Sequence, residues 1–277
     1  MKLLAEVEKF GRLENLLCAD ELHFISEKGL EWTVNGQIAM AGNGELICAN
    51  DKGLLLESAD GQGWIKLFKA SEETKVRSPT LHDGILYFVV TDEEQLQHTV
   101  RCMRIDPRTE VGSGALQPLS QELFNVDFEK NEGMYPVPWT SLSVSGSICL
   151  LACGNVISSF NLEERTIQRR TIRVDRCILD AVLVSPDRCF FTTPLDRNVV
   201  MLSGDLMTCA PKTVTSPYSY GLCRRKERNL LLLTEKDEDD DRYRVEIVLL
   251  DYDGKSKSRL WLISLFAPHI GSKYVFP

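Results

Sequence analysis

The 277-residue sequence lacks any long apolar run. Its most apolar stretch, Leu260–Ala267, has eight residues, whereas a membrane-spanning helix needs about 20. Only three apolar residues stand between Lys2 and Glu6, which is too few for a secretory signal, and no Asn-x-Ser/Thr glycosylation acceptor occurs. We therefore expect no membrane insertion and a cytoplasmic or nuclear location.

The sequence also lacks the spacings that disulfide frameworks and metal sites require. Nine cysteines are irregularly spaced, which predicts reduced and mostly buried thiols. Cys149 and Cys153 would face the same side of one strand, as two packed core thiols. The histidines are scattered without the pairing that zinc needs: His23, His82, His98 and His269. We predict no metal site and no cofactor.

Familiar catalytic motifs are missing as well. The sequence contains no Gly-x-Gly-x-x-Gly, no Gly-x-Ser-x-Gly and no His-Glu-x-x-His. The "DGKS" at Asp253–Ser256 ends like a phosphate loop, but Leu249 stands where the first glycine belongs. The acidic run Asp237–Asp241 starts like a calcium loop, yet Arg242 and Val248 replace the required Gly and Glu. A solvated hairpin loop is the better interpretation of that run.

Charge gives little support to nucleic-acid binding. The chain has 32 basic and 40 acidic residues, a net charge of −8, which disfavours general attraction to phosphates. Two clusters could still form a basic face: Arg165, Arg169, Arg170, Arg173 and Arg176, and the run Arg224–Arg228. No aromatic residues interleave with them as stacking platforms. Arginines of outer strands, solvated or paired, are the plainer interpretation, and nucleic acid is an unlikely partner.

What the sequence does contain is an internal repeat near its start. Asn15–Asp20 ("NLLCAD") matches Glu45–Asn50 ("ELICAN"), and the match continues after a two-residue insertion. The aligned pairs are Leu16 with Leu46, Cys18 with Cys48, Ala19 with Ala49, Leu22 with Leu54, Ser26 with Ser58, Gly29 with Gly61 and Trp32 with Trp64. Each copy predicts short strands joined by a glycine turn. Such a unit cannot bury its own apolar face and must pack against others.

The second copy resembles the Asp-box of sialidase-type β-propellers. The stretch "SADGQGW" keeps Ser58, Asp60 and Trp64 of the pattern Ser-x-Asp-x-Gly-x-x-Trp but is one residue short, and the first copy has Lys28 in place of the Asp. In that family the box is a hairpin device remote from catalysis. The arginine clamp and the Phe/Tyr-Arg-Ile-Pro motif of a sialidase are missing. The resemblance therefore implies a scaffold rather than an enzyme.

Similar units recur along the rest of the chain. They are His82–Asp92 with Val100–Thr109, Ser145–Ile167, Ala181–Thr193 with Asn198–Leu206, and Arg228–Lys255. The first resembles quinoprotein-like and kelch-like blades, and Ser185-Pro186-Asp187 resembles the turn of WD-type repeats. Only Leu119–Asn131 could hold an amphipathic helix.

These units predict an all-β protein. They number about six and lie roughly 30 to 45 residues apart, against about 40 to 45 for a usual blade. We predict a single β-propeller domain over residues 1–277 with about six blades, and keep seven short blades or a β-sandwich as alternatives. The short length raises the hypothesis of an open propeller whose last blade is completed by a partner's strand.

The function that follows is a non-enzymatic protein-interaction scaffold, with protein partners in a larger intracellular hetero-complex. Propellers present loops on rigid sheets, and such loops commonly carry recognition. The alternatives are a glycan-binding or glycosidase-like propeller and a nucleic-acid-associated propeller that uses the arginine clusters. The sequence assigns no catalytic, cofactor-binding or metal residue, and it does not indicate which face binds.

Overall fold

The structure is a computed structural model. It describes the backbone of residues 22–25, 31–34, 37–40, 46–50, 53–57, 64–105, 120–129, 140–172, 178, 180–193, 198–215, 219–225, 229–238, 242–253 and 256–262. Side chains are described for residues 47–49, 53–56, 65–105, 120–129, 140–172, 178, 180–193, 199–214 and 250–253. Every structural statement below concerns these residues.

The described chain forms 22 β-strands, arranged in five four-stranded sheets and one two-stranded sheet. The two-stranded sheet contains β1 (Leu22–Ile25) and β2 (Glu31–Val34). The first four-stranded sheet contains β3 (Gln37–Met40), β4 (Leu46–Asn50), β5 (Gly53–Glu57) and β6 (Trp64–Lys69). The second contains β7 (Thr74–His82), β8 (Ile85–Asp92), β9 (Gln97–Arg104) and β10 (Gln121–Asp127).

The remaining three sheets follow in chain order. The third contains β11 (Thr140–Ser145), β12 (Ile148–Cys153), β13 (Val156–Asn161) and β14 (Thr166–Thr171). The fourth contains β15 (Asp180–Ser185), β16 (Arg188–Thr193), β17 (Asn198–Ser203) and β18 (Lys212–Thr215). The fifth contains β19 (Ser219–Arg225), β20 (Asn229–Glu238), β21 (Arg242–Asp251) and β22 (Ser256–Leu262).

Each four-stranded sheet is an antiparallel meander of four consecutive strands. Tight turns join neighbouring strands, and Gly84, Gly146 and Gly154 occupy some of them with positive φ. The fifth sheet already contains its four strands within this chain. The hypothesis that a partner's strand completes the last blade stays a prediction, as does the number of blades.

Four apolar cores fill the spaces between the five four-stranded sheets. Each core takes side chains from two consecutive sheets, as where Leu86 and Phe88 of β8 meet Ile47 of β4. The middle strands are buried on both faces: Leu150 faces the fourth sheet and Leu151 faces the second. This double burial explains why the sequence shows continuous apolar runs in place of strict alternation.

The predicted repeat is confirmed at the level of strands. The two copies form the antiparallel pairs β1–β2 and β5–β6, with Phe24 opposite Trp32 and Glu57 opposite Trp64. The β1–β2 sheet thus corresponds to the third and fourth strands of the first four-stranded sheet. The turn residues Ser26, Gly29 and 58–63, which carry the Asp-box likeness, lie outside the described residues.

Two local predictions need correction. The stretch suspected of holding a helix, Leu119–Asn131, contains strand β10, whose buried Phe124 and Val126 alternate with more exposed residues. This two-residue period is that of a strand. The predicted acidic loop is also shorter than its charges indicate, because β20 continues through Asp237, opposite Tyr243, to Glu238. A calcium loop cannot begin within a paired strand.

Gly53 is required where β5 begins. Its φ is 129°, and a Cβ at this position would overlap the backbone carbonyl of Phe68 on β6. Gly204 has a comparable φ of 101°, but a Cβ there would meet open space. Both positions therefore need a positive φ, but only at Gly53 would a Cβ overlap a neighbouring atom.

We expect Gly53→Ala to lower the free energy of unfolding by about 3 kcal/mol or more, because backbone strain and overlap add. Gly204→Ala should cost about 1–2 kcal/mol from the backbone alone. Urea denaturation of both variants measures the difference. Equal losses would contradict the overlap at Gly53.

Candidate functional site

The first strands of successive sheets pack side by side. Strand β7 contacts β3 and β11, and β15 contacts β11 and β19. These strands therefore form the inner layer of the molecule, and the fourth strands lie on the outside. Polar groups on the inner strands are the ones that would converge on a central site.

Hydroxyl groups tie the second sheet to the third along this inner layer. Ser78 donates from Oγ to the backbone oxygen of Thr140 at 2.7 Å, and Thr80 donates from Oγ1 to the oxygen of Leu142 at 2.7 Å. Both hydroxyl-bearing residues are buried. Two residues apart on β7, they bond two residues apart on β11, so the contact runs in register.

The same arrangement ties the third sheet to the fourth. Ser141 accepts from the backbone N–H of Ala181 at 3.0 Å, and Ser143 accepts from that of Leu183 at 2.9 Å. Ser141 also donates to the carboxylate of Asp180 at 2.6 Å. This carboxylate, 4% exposed, is held in a structural bond, which is what a buried charge requires.

Ser78 adopts a strained conformation within this layer. Its φ is 51°, and the pairing of β7 with β8 shifts between Arg77 and Thr80. This bulge turns the Ser78 hydroxyl towards β11. Ser78 is buried within the strand.

Removing one of these hydrogen bonds between sheets tests its contribution to stability. Ser143→Ala leaves the buried N–H of Leu183 without this partner, so we expect a loss of about 1–3 kcal/mol in the free energy of unfolding. Ser203 is exposed at the end of β17, and Ser203→Ala should change stability by less than about 0.5 kcal/mol. Chemical denaturation of the two variants makes the comparison. Two indistinguishable midpoints would show that the tie contributes nothing.

His98 is the only histidine that the structure shows fully buried among the described side chains. Its Nδ1 lies 3.0 Å from Thr91 Oγ1, and its ring stacks on Phe128 with centroids 4.3 Å apart. Nε2 is buried with no hydrogen-bond partner. Burial, aided by the charge of Arg77, lowers the pKa of His98 to about 3.

This pKa makes stability depend on pH. Because the folded-state pKa lies below the value of about 6.5 for an unfolded chain, the unfolded chain takes up the proton first as pH falls. The contribution of neutral His98 is therefore fully present above about pH 6.5 and is lost progressively towards pH 3. At about pH 5 the loss should reach roughly 2 kcal/mol.

We expect His98→Phe, which keeps a ring against Phe128, to remove this part of the pH dependence. Thermal unfolding of wild type and variant between about pH 7.5 and pH 5 measures it. His82→Phe is the control, because His82 is not sealed in the interior and should leave the His98 contribution intact. A wild-type slope that His98→Phe does not reduce would contradict the assignment.

Arginines join the sheets at their outer parts. Arg169 of β14 donates to the backbone oxygen of Asn125 on β10 at 2.8 Å, and Arg170 donates to that of Leu206 at 2.9 Å. The two neighbours thus reach in opposite directions, to the second and fourth sheets. Arg188 bonds the oxygen of Tyr252 in the fifth sheet, also at 2.9 Å. The guanidinium N–H groups of these arginines thus join neighbouring sheets by hydrogen bonds to backbone oxygens.

The arginine clusters of the sequence are therefore partly structural. Arg169 and Arg170 are paired as the plainer interpretation holds, and Arg165 lies exposed in the turn before β14. Arg173 and Arg176 fall outside the described residues, as does 226–228. Arg224 lies on β19, whose side chains are not described. The side chains of the second cluster, Arg224–Arg228, thus lie outside those that the structure describes.

The buried cysteines behave as core side chains. Cys149 and Cys153 are buried on one face of β12, as predicted, and neither forms a disulfide. Burial raises the pKa of Cys149 far above its usual value and that of Cys153 to about 12. Thiols this hard to ionise are poor nucleophiles and metal ligands. Within the described part of the chain, no group of three His, Cys, Asp or Glu side chains is placed to hold a metal ion.

No family model matches the sequence, and no curated protein matches it. Among solved structures, the chain is similar to regucalcin of Agrobacterium tumefaciens str. C58, a calcium-binding protein, with a TM-score of 0.53 and 14% identity over 82% of this chain and 78% of that chain. It is similar to TolB of Acinetobacter baumannii, with a TM-score of 0.50 and 14% identity over 78% and 48%. Both are β-propeller proteins. The fold is a β-propeller.

The chain is also similar to two further solved propeller structures. U3-55K matches with a TM-score of 0.55 and 10% identity, over 88% of this chain and 75% of that chain. A chain of the Mitotic Checkpoint Complex matches with a TM-score of 0.52 and 12% identity, over 81% and 65%. Identities this low establish the shared propeller fold alone. The number of blades stays a prediction.

Sequence reasoning missed the residues that join the propeller's sheets. A signal for them was present: hydroxyl residues alternate at Ser78 and Thr80 and again at Ser141 and Ser143, each time in the first strand of a sheet. Such alternation places the hydroxyls on one side of a strand.

No helix in the described chain is long and apolar enough to cross a membrane.

Proposed function

We propose that this propeller is a non-enzymatic protein-interaction scaffold and a subunit of a larger intracellular complex. The observation that carries the proposal is the use of the inner-layer hydroxyls. Those of Ser78, Thr80 and Ser141 are bonded to neighbouring strands or to a fixed carboxylate. Groups held in this way stabilise the architecture and are poorly placed to change partners during a reaction.

The electrostatic state of the buried groups supports the same proposal. An enzyme usually holds a general base with a pKa near the working pH. Here the pKa of His98 is too low and that of Cys153 too high for either group to exchange protons near neutrality. Both pKa shifts are caused by burial in apolar surroundings. Such burial is typical of side chains that stabilise a fold.

The comparisons add a coarser argument. Structures similar to this chain include a component of the Mitotic Checkpoint Complex, so a propeller of this general build does serve in a protein assembly. Rigid sheets of this kind present loops and outer strands at fixed positions, and binding residues commonly lie there. We extend that role to this chain.

The test is purification of the native protein from its own cells at about 0.3 M salt, which shortens the electrostatic screening length below about 8 Å. Sizing followed by mass spectrometry should give a particle well above 31.3 kDa with other proteins in stoichiometric amounts. A lone monomer would contradict the subunit proposal. Glycan and RNA binding by that monomer would then separate the two alternatives.

A further inference from the structure

Strand β14 is an unusually exposed outer strand. Five of its six residues, Thr166 to Arg169 and Thr171, are exposed, whereas the outer strand β10 of the preceding sheet buries Phe124 and Val126. Ile167, 38% exposed, is the only exposed large hydrophobic residue among the described side chains. Ile167 lies opposite Phe160 of β13 and still leaves apolar surface exposed to solvent.

Among the described strands, β14 has a neighbour on one edge only. Ile172 donates from its N–H to the oxygen of Asn155 on the β13 side at 2.8 Å. Hydrogen-bonded pairs alternate along an antiparallel ladder, so Arg170, Gln168 and Thr166 also bond β13. Ile167, Arg169 and Thr171 consequently direct their N–H and C=O groups away from the sheet. β14 pairs with β13 alone within the described chain.

Cations flank this edge in fixed positions. The guanidinium groups of Arg169 and Arg170 are each anchored by a bond to a neighbouring sheet, so they stand beside the strand and leave its backbone uncovered. Arginine has five N–H donors, and each group keeps donors for a further acceptor. Anchoring also reduces the side-chain entropy that a ligand would otherwise have to overcome.

The negative charges near β14 lie towards its start and, at Asp205, near Arg170. Glu163 and Glu164 are exposed in the turn that precedes the strand, together with Arg165, and Glu164 accepts from Thr166 at 3.4 Å. Glu122 lies on β10 and accepts from Asn125. Arg169 and Arg170 carry the positive charge in the second half of the strand, and Asp205 offsets part of that of Arg170.

We propose that the edge of β14 binds an extended acidic segment of a partner protein, which joins the third sheet as a fifth, antiparallel strand. The inference rests on the proposed scaffold function and assigns it a surface. Each of the three outward-directed residues, Ile167, Arg169 and Thr171, exchanges a pair of backbone hydrogen bonds with the added strand.

The register of β14 dictates the sequence that the segment needs. Side chains directly opposite in an antiparallel pair lie on the same face. Read from its N-terminus, the segment passes Arg170, Arg169, Gln168 and then Ile167. It therefore presents two consecutive acidic residues, one residue of any type and one apolar residue. The acids pair with the guanidinium groups, and the apolar residue covers Ile167.

The probe is a terminally blocked peptide, Thr-Asp-Asp-Thr-Ile-Thr-Thr, with Thr-Lys-Lys-Thr-Ile-Thr-Thr as its matched control. Binding to the full chain is followed by fluorescence anisotropy, and site-resolved amide hydrogen exchange identifies the strand. We expect saturable binding of the acidic peptide, at least about tenfold weaker binding of the control, and slowed exchange at Ile167, Arg169 and Thr171.

Two variants separate charge from backbone pairing. Arg169→Glu should weaken binding of the acidic peptide by at least about tenfold, whereas Lys212→Glu, which makes the same change on the exposed outer strand β18, should not. Thr171→Pro removes an outward N–H without removing a charge, a change that edge strands tolerate, and should weaken binding. If the proline variant does not fold, as judged by circular dichroism, Arg169→Glu still decides the charge requirement.

Several results would overturn the proposal. These are equal binding of the two peptides, binding unaffected by Arg169→Glu, or exchange protection at a strand other than β14. Concentration-dependent dimerisation that Arg169→Glu abolishes would assign the edge to a second copy of this chain instead. If the native complex forms equally well with Arg169→Glu, the surface assignment fails and the scaffold function stands. Absence of partners for the wild type removes the function itself.

Discussion

Each sheet of this propeller depends on its neighbours, because a four-stranded sheet with two apolar faces cannot remain in water alone. The four cores between sheets meet this requirement with residues such as Leu150 and Leu151, which face opposite ways from one strand. Burial of apolar area is favourable but without direction. It makes the sheets stack and leaves their mutual alignment undetermined.

The alignment is determined by the hydroxyl ties of the inner layer. Thr80 and Ser143 bond the backbone of the next sheet's first strand where no ladder can form, and each bond has one geometry at which it is made. The arginines act similarly on the outside. Sheets held at both margins cannot slide across their cores without breaking buried hydrogen bonds, which is costly. The propeller is therefore a rigid support.

The sequence allowed the fold class to be predicted because turn chemistry and apolar runs are local signals. The Gly turns of the repeat and Ser185-Pro186-Asp187 each mark a hairpin that the structure contains, and the last turn is closed by a bond from Ser185 to Asp187. Strand β10 was missed because its polar residues imitate a helical face. The alternating hydroxyls were a local signal for these hydrogen bonds, but their partners lie 40 or 62 residues away and could not be predicted from it.

The same reasoning explains why no central site could be predicted. Which polar groups face inwards is decided by the packing of the sheets, and the sequence does not show this packing. Ser78, Ser141 and Asp180 are used to join sheets, whereas the outermost described strands each have one edge without a neighbouring strand. Among these, β14 combines such an edge with an exposed Ile167 and anchored cations. Recognition at an edge also leaves the cores undisturbed, so a rigid propeller can bind there without changing its shape.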